Sequence, residues 1–200
     1  MAHARTLRVP AVPGEIGRAI EVFVRGFCFT RSFTHPYVPE RVEGVWALRD
    51  APRRHGSYRS EEWFAHATPP AQVDRVVRTH GRGRFAICAI LPVDEQDDDL
   101  RAGYKALGYR LRTTEPIMAH SLRRIPRCDA PLKIERVATL ALAQRLARAA
   151  GSRQILPEHV AAGAAAPIRA YVAMKADEPV GWVGSITVDD ATWCSNMFVV

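Results

Sequence analysis

Lysine is scarce in this chain, and its basic character comes almost entirely from arginine. The 28 Lys and Arg residues include just three lysines, Lys105, Lys133 and Lys175, and the arginines are spread along the whole sequence. A net charge of +7 invites comparison with nucleic-acid-binding proteins, but those proteins collect their cations on one face or one helix. We therefore do not expect a nucleic-acid partner. A positive field would equally favour an acidic cofactor.

The sequence also lacks the spacings that mark metal sites and disulfide frameworks. The four cysteines, Cys28, Cys88, Cys128 and Cys194, form no Cys-x-x-Cys pair, and the seven histidines include no His-x-x-x-His spacing. The acidic run at residues 94–99 lacks the central glycine and the final glutamate of a calcium loop. We expect no bound metal, and we expect Cys88 and Cys194, which lie in apolar segments, to be core residues.

Long apolar runs are missing as well. No segment approaches the ~20 consecutive apolar residues that a membrane-spanning helix needs. Residues 1–8 contain no apolar stretch of the kind found in a secretory signal. We therefore expect no membrane partner and a cytoplasmic location.

Apolar periodicity predicts the elements of the N-terminal part. Ile16, Ile20, Phe23 and Phe27 recur at helical spacing, which predicts an amphipathic helix over residues 13–27. Local patterns favour a short strand or turn around Trp46 and Leu48, a helical turn at Glu61–His66, a helix at 70–79, a strand at 85–91, a helix at 100–107 and a strand at 116–122.

The stretch 123–131 contains two prolines and several charges, which is typical of a linker. We therefore divide the chain into an N-terminal region at 1–125, a linker at 126–131 and a second domain at 132–200. In the second domain the patterns predict a strand at 132–135, a helix at 140–150 capped by Thr139, a helix at 157–162, and strands at 168–175, 180–188 and 193–200.

The last two predicted strands differ in their patterns. In the first, Val180, Trp182, Ile186 and Val188 share one parity, which indicates one buried face. The second is apolar on both parities, which predicts a central strand covered on both sides. The short polar connection at 189–191 between them suits a hairpin turn. The order strand, helix, helix, strand, strand, strand predicts an α/β (α+β) fold with a mixed, mostly antiparallel sheet flanked by helices.

This hairpin resembles the core of the GNAT N-acetyltransferase family. There, Gly-Trp-Val on one strand pairs with Trp-x-Ser-Asn-Met-aromatic-Val on the next, and here the two motifs are Gly181–Val183 and Trp193–Val199. The resemblance covers 132–200 well and 85–122 more weakly. In the weaker region, Tyr104–Tyr109 is similar to the family's last helix, so 1–125 resembles a degenerate acetyltransferase domain. In the family, a tyrosine at the position of Tyr104 often protonates the leaving thiolate, but here we favour a packing role for it.

The resemblance implies acetyl transfer from acetyl-CoA to an amine on a small molecule or a protein. In the family, the backbone of the second hairpin strand holds the cofactor, and one of its N–H groups stabilises the oxyanion. That role falls here on Met197, Phe198 and Val199. The general base is not identified. Further candidates near the acceptor groove are Glu158, His159, Trp193 and Ser195.

The family's pyrophosphate loop, Arg/Gln-x-x-Gly-x-Gly/Ala, should follow this strand, but the sequence stops at Val200. Each lost charge-assisted hydrogen bond costs roughly 1.5–3 kcal/mol, so losing two weakens cofactor binding about 10²- to 10⁴-fold. We therefore expect the second domain to be incomplete and the chain as written to be inactive. Two hypotheses remain: the front portion of an acetyltransferase, or a non-catalytic binding or scaffold module with a degenerate fold.

Overall fold

The computed structural model describes residues 13–30, 32–123 and 131–199, in which helices accompany two four-stranded sheets. The general fold is therefore mixed α and β with mostly antiparallel sheets, as the sequence predicts. Residues 126–130 of the predicted linker, including Cys128, lie outside the described residues. None of the helices in the described ranges has both the length and the apolar composition that crossing a membrane requires.

The first sheet has the strand order β1-β2-β3-β4. Its first two pairings are antiparallel, and β3 and β4 are parallel because helix α2 crosses between them. Three valines of α2 are fully buried against this sheet. The elements are α1 (Pro13–Phe27), β1 (Val38–Val42), β2 (Val45–Arg49), β3 (Glu61–His66), α2 (Pro70–His80), β4 (Phe85–Ile90) and α3 (Asp98–Ala106).

The second sheet is antiparallel throughout, and its strands follow the order of the chain. The Thr139 hydroxyl accepts a hydrogen bond from the Leu142 N–H and caps α4, as predicted. Alternate residues of β6 are buried beneath α4 and α5. The elements are β5 (Lys133–Arg136), α4 (Leu140–Ala149), α5 (Pro157–Ala162), a 3₁₀ turn (Gly163–Ala165), β6 (Ile168–Lys175), β7 (Glu178–Val188) and β8 (Ala191–Val199).

Three predictions for single segments are wrong. Glu61–His66 is a strand rather than a helical turn, because β2 and β4 pair with it on both sides and override its weak local preference. Residues 116–122 form no strand, since they are exposed and pair with none of the described strands. Strand β8 is an edge rather than a central strand, because no described strand lies beyond it, and Cys194 on it is exposed rather than in the core.

Helix α1 packs on both sheets. The Phe23 ring lies 5.2 Å from the Phe64 ring of β3 and 4.9 Å from the Trp193 ring of β8, measured between centroids. Val22, one residue earlier, packs with a cluster that includes Ile168 and Ile186 of the second sheet. The predicted helix 13–27 is thus confirmed in its bounds, and its apolar residues connect the two sheets.

Ion pairs also fasten α1 to the turn between β7 and β8. An Arg25 guanidinium nitrogen lies 2.7 Å from an Asp189 carboxylate oxygen, and an Arg18 nitrogen lies 2.6 Å from one of Asp190. The hydrogen bond from Arg25 holds the pKa of Asp189 below its usual value, and the hydrogen bond from Arg18 does the same for Asp190. The contacts fix the position of the turn relative to the helix.

Two glycines of α1 provide a test of this packing. A Cβ at Gly26 would overlap the Trp193 side chain, whereas a Cβ at Gly17 meets nothing within 4 Å. We expect Gly26→Ala to lower the free energy of unfolding by about 1–3 kcal/mol through overpacking. The matched control, Gly17→Ala, should raise it by about 0.5–1 kcal/mol, because alanine is the better helix former. Urea denaturation measures both changes, and equal effects would contradict the packing of α1 on Trp193.

The ion pairs at the turn predict a pH dependence. Since the folded-state pKa of Asp189 is lowered, chiefly by the hydrogen bond from Arg25, its stabilising contribution is complete above the unfolded-state pKa and is lost as the pH falls through the folded-state pKa. Asp189→Asn should therefore reduce stability modestly at neutral pH, and its difference from the original protein should vanish in strong acid.

The control for this prediction is Asp94→Asn, which removes an exposed carboxylate that has no ion-pair partner among the described residues. Thermal unfolding at neutral and acidic pH compares the two variants. If the loss of stability caused by Asp189→Asn persists unchanged in acid, the ionised pair is not the cause of that loss.

Candidate functional site

The hairpin of β7 and β8 has one break in its register. The pairs from the turn as far as Gly184–Ser195 share one register, and the pair Trp182–Phe198 is shifted by one residue. Val183 of β7 therefore faces two consecutive residues of β8. This extra residue is a β-bulge, which takes backbone groups out of the regular ladder and redirects them.

The residues that the family resemblance assigns to the cofactor lie at this bulge. Met197 is the second bulge residue, and Phe198 and Val199 follow it on the outer strand of the sheet. Their exposed fractions are 75%, 52% and 76%. Because no described strand pairs with the outer side of β8, backbone groups along this side are open to a ligand or another strand. We call Met197–Val199 and the open side of the strand the β8 edge.

Close packing of β8 against β7 holds the β8 edge in place. The rings of Trp182 and Phe198 are stacked, with centroids 4.8 Å apart. A Cβ at Gly184 would lie 3.2 Å from both the carbonyl oxygen and the hydroxyl oxygen of Ser195. Because Gly184 has no side chain, Ser195 can pack closely against the neighbouring strand beside the bulge.

Trp193 and Ser195 were candidates for the acceptor groove, and the structure places both inside the fold. The Trp193 ring packs against Phe23 of α1, and its Nε1 is buried without a hydrogen-bond partner in the described residues. Ser195 is 8% exposed, and its hydroxyl likewise has no partner there. Unpaired buried polar groups are unusual in native structures, and β8 carries two of them, on Trp193 and Ser195.

The candidate bases do not come together with the β8 edge. Glu158 is exposed on α5, and the half-buried His159 lies beside Arg136 of β5 and Arg169 of β6. Strand β7 lies between β6 and β8, so about 10 Å separates those two strands. His159 Nδ1 has no hydrogen-bond partner within the described ranges. The structure assigns neither residue to proton transfer at the β8 edge.

Tyr104 of α3 belongs to the packing of the first sheet. Its ring lies 5.7 Å from that of Tyr109 and contacts the cluster formed by α2, β2 and β3. Burial raises the pKa of Tyr104 to about 12. Its hydroxyl has no hydrogen-bond partner in the described part of the chain. Tyr104 is thus a partly buried packing residue that stays protonated at neutral pH.

Sequence reasoning missed the bulge itself. A bulge is visible in a sequence when alternation changes parity, but residues 193–199 are largely apolar on both parities, so no such change can be seen. The signal that located Met197–Val199 was the family motif. The motif indicates the strand, and only the register with β7 reveals the extra residue.

Comparison with protein-family models, with curated proteins and with solved structures finds no match for this chain. The acetyltransferase resemblance therefore stays a prediction that rests on the hairpin motif and on the order of elements. Across the described ranges, no group of three or more His, Cys, Asp or Glu side chains is placed to hold a metal ion.

The unpaired hydroxyl of Ser195 gives a stability prediction. Burying a hydroxyl without a partner costs free energy, so we expect Ser195→Ala to leave the free energy of unfolding unchanged or raise it by about 1 kcal/mol. The contrasting variant is Thr139→Ala, which deletes a hydroxyl that caps α4 and should cost about 1 kcal/mol. Urea denaturation compares them. A loss at Ser195→Ala as large as that at Thr139→Ala would mean that Ser195 has a hydrogen-bond partner.

Proposed function

We propose that the β8 edge binds acetyl-CoA and that the protein transfers the acetyl group to an amine. The observation that carries the proposal is the coincidence of the bulge with Met197–Val199, the residues that the hairpin motif assigns to the cofactor. A bulge on an exposed edge strand can present backbone N–H groups that a regular ladder would use internally.

The order of elements supports the same proposal. From β5 to β8 the chain runs strand, helix, helix, strand, strand, strand, and the four strands form one antiparallel sheet. This is the order that the resemblance implies for the first half of an acetyltransferase domain. The resemblance would place the pantetheine arm of the cofactor along the outer side of β8, where main-chain hydrogen bonds can hold this arm as they hold an added strand.

The proposed reaction needs two contributions from the protein. An amine with a pKa near ~10 is mostly protonated at neutral pH, so a base or a chain of waters must first take its proton. The neutral nitrogen then forms a bond to the thioester carbonyl carbon, and the carbonyl oxygen becomes negatively charged. A backbone N–H of Met197, Phe198 or Val199 would stabilise that charge. As the intermediate collapses, the carbon–sulfur bond breaks, the nitrogen gives up a second proton to a base or water, and the leaving thiolate takes up a proton.

A second candidate function follows from the composition of β8. None of the residues Ala191–Val199 is charged, and the end of the strand exposes large apolar side chains. Natural edge strands usually carry charges or prolines that prevent pairing with other chains. The same edge could therefore add to a strand of a partner protein, which is the binding or scaffold hypothesis.

The test is a titration of the chain with acetyl-CoA, in which NMR chemical shifts report binding. We expect weak saturable binding, with a dissociation constant of about 1 mM, because Met197–Val199 offer backbone hydrogen bonds but no charged side chain to the cofactor phosphates. Met197→Pro removes the backbone N–H at the bulge and should weaken binding at least about tenfold. Met197→Ala keeps that N–H and should bind like the original chain.

Circular dichroism of both variants controls for folding. Equal binding by Met197→Pro and Met197→Ala would rule out the backbone of the bulge as the cofactor contact. No saturable binding by the original chain, together with concentration-dependent association through β8, would favour the scaffold function.

A further inference from the structure

We propose that a cleft between α4 and β5, named here the α4–β5 cleft, binds a small organic anion with two negative charges, held by Arg145 and Arg148. This site is separate from the β8 edge and does not depend on the acetyltransferase proposal. Strands β5 and β8 are the two opposite edges of the second sheet. Three strand spacings, about 15 Å, therefore separate them.

The cleft has the size of a ligand site. Its volume is about 600 Å³, and small-molecule sites are typically about 300–1,000 Å³. Its walls come from β5, from one side of α4 along most of its length, and from the end of β6 with the connection to β7. A ligand in it would contact three elements that the sheet and helix packing hold in place.

The charge of the cleft is not neutralised within the fold. Arg145 and Arg148 are three residues apart on α4, so their side chains lie on the same face of the helix. Neither has an ion-pair or hydrogen-bond partner among the described residues, although both line the cleft. On α1, by contrast, Arg18 and Arg25 both form ion pairs with acidic side chains. The two guanidinium groups of α4 are therefore available to a ligand.

The rest of the lining adds two cations and two carboxylates. Lys133 and Arg136 of β5 line the cleft with Glu135 and Asp177, and the Lys133 ammonium nitrogen lies 3.0 Å from a Glu135 carboxylate oxygen. Since the lining holds four cations and two carboxylates, its net charge is positive. Guanidinium groups bind carboxylates and phosphates through paired hydrogen bonds. The arrangement thus favours a dianionic group at the Arg145 and Arg148 side and disfavours a cationic ligand.

The floor of the cleft is apolar. Four apolar residues line it, of which Leu142 and Met174 are buried and Ala138 and Ala141 are exposed. An inorganic ion would leave this surface uncovered. We therefore expect the ligand to combine a doubly charged group with an apolar body, as in an aryl phosphate.

The experiment is a calorimetric titration of the whole chain with phenyl phosphate at low ionic strength. We expect saturable binding that is clearly tighter than the binding of inorganic phosphate, because the phenyl ring covers the apolar floor. The double variant Arg145→Gln/Arg148→Gln should weaken phenyl phosphate binding at least about tenfold.

The matched control is Arg110→Gln/Arg112→Gln, which removes the same two charges from an exposed segment outside the cleft. It should bind phenyl phosphate like the original chain. A third variant, Ala141→Trp, fills the floor without changing the charge and should abolish binding. Circular dichroism confirms that each variant folds.

Three results would overturn the proposal. The first is the absence of saturable phenyl phosphate binding to the original chain. The second is an equal loss of phenyl phosphate affinity in the two double arginine variants. The third is equal affinity of the original chain for phenyl phosphate and inorganic phosphate. An equal loss would mean that net charge, rather than the cleft, attracts the anion.

Discussion

The aromatic contact of Phe23 with both sheets is the constraint on which the arrangement of this protein depends. Its ring meets Phe64 on one side and Trp193 on the other, at centroid distances of 5.2 and 4.9 Å. Such pairs contribute about 0.5–1.5 kcal/mol each beyond the burial of their surface. Helix α1 comes first among the described elements, yet it completes a core that includes the final strand. Residues at opposite ends of the sequence are thus held in one packed unit.

This constraint explains why the two halves of β8 behave differently. The first half is anchored, because Trp193 packs under α1 and the turn before it is bound to Arg18 and Arg25. The second half, after the bulge, has β7 on one side and an exposed outer side. An edge strand with one rigid end and one accessible end can receive an extended ligand without moving the core. The proposed cofactor site uses that accessible end.

Local patterns predicted the elements whose environment is one-sided, namely α2, α4 and β6, because one face of each is buried and the other is not. They failed where burial is not one-sided. Trp63, Phe64 and Ala65 of β3 are all buried and show no alternation, and β8 is apolar on both parities although it is an edge. The motif located Met197–Val199, but the bulge depends on register. The α4–β5 cleft is recognised from the arginines that lack partners. Neither the strand register nor the pairing of arginines can be read from a sequence.

The most direct test of the account is amide hydrogen exchange of the chain with and without millimolar acetyl-CoA. The outer amides of β8 should exchange quickly in the free chain, because no described strand pairs with them. The account predicts that acetyl-CoA slows exchange within Trp193–Val199 and leaves the first sheet unchanged. Slowed exchange elsewhere alone, or no change at any amide, would contradict the assignment of the β8 edge as the cofactor site.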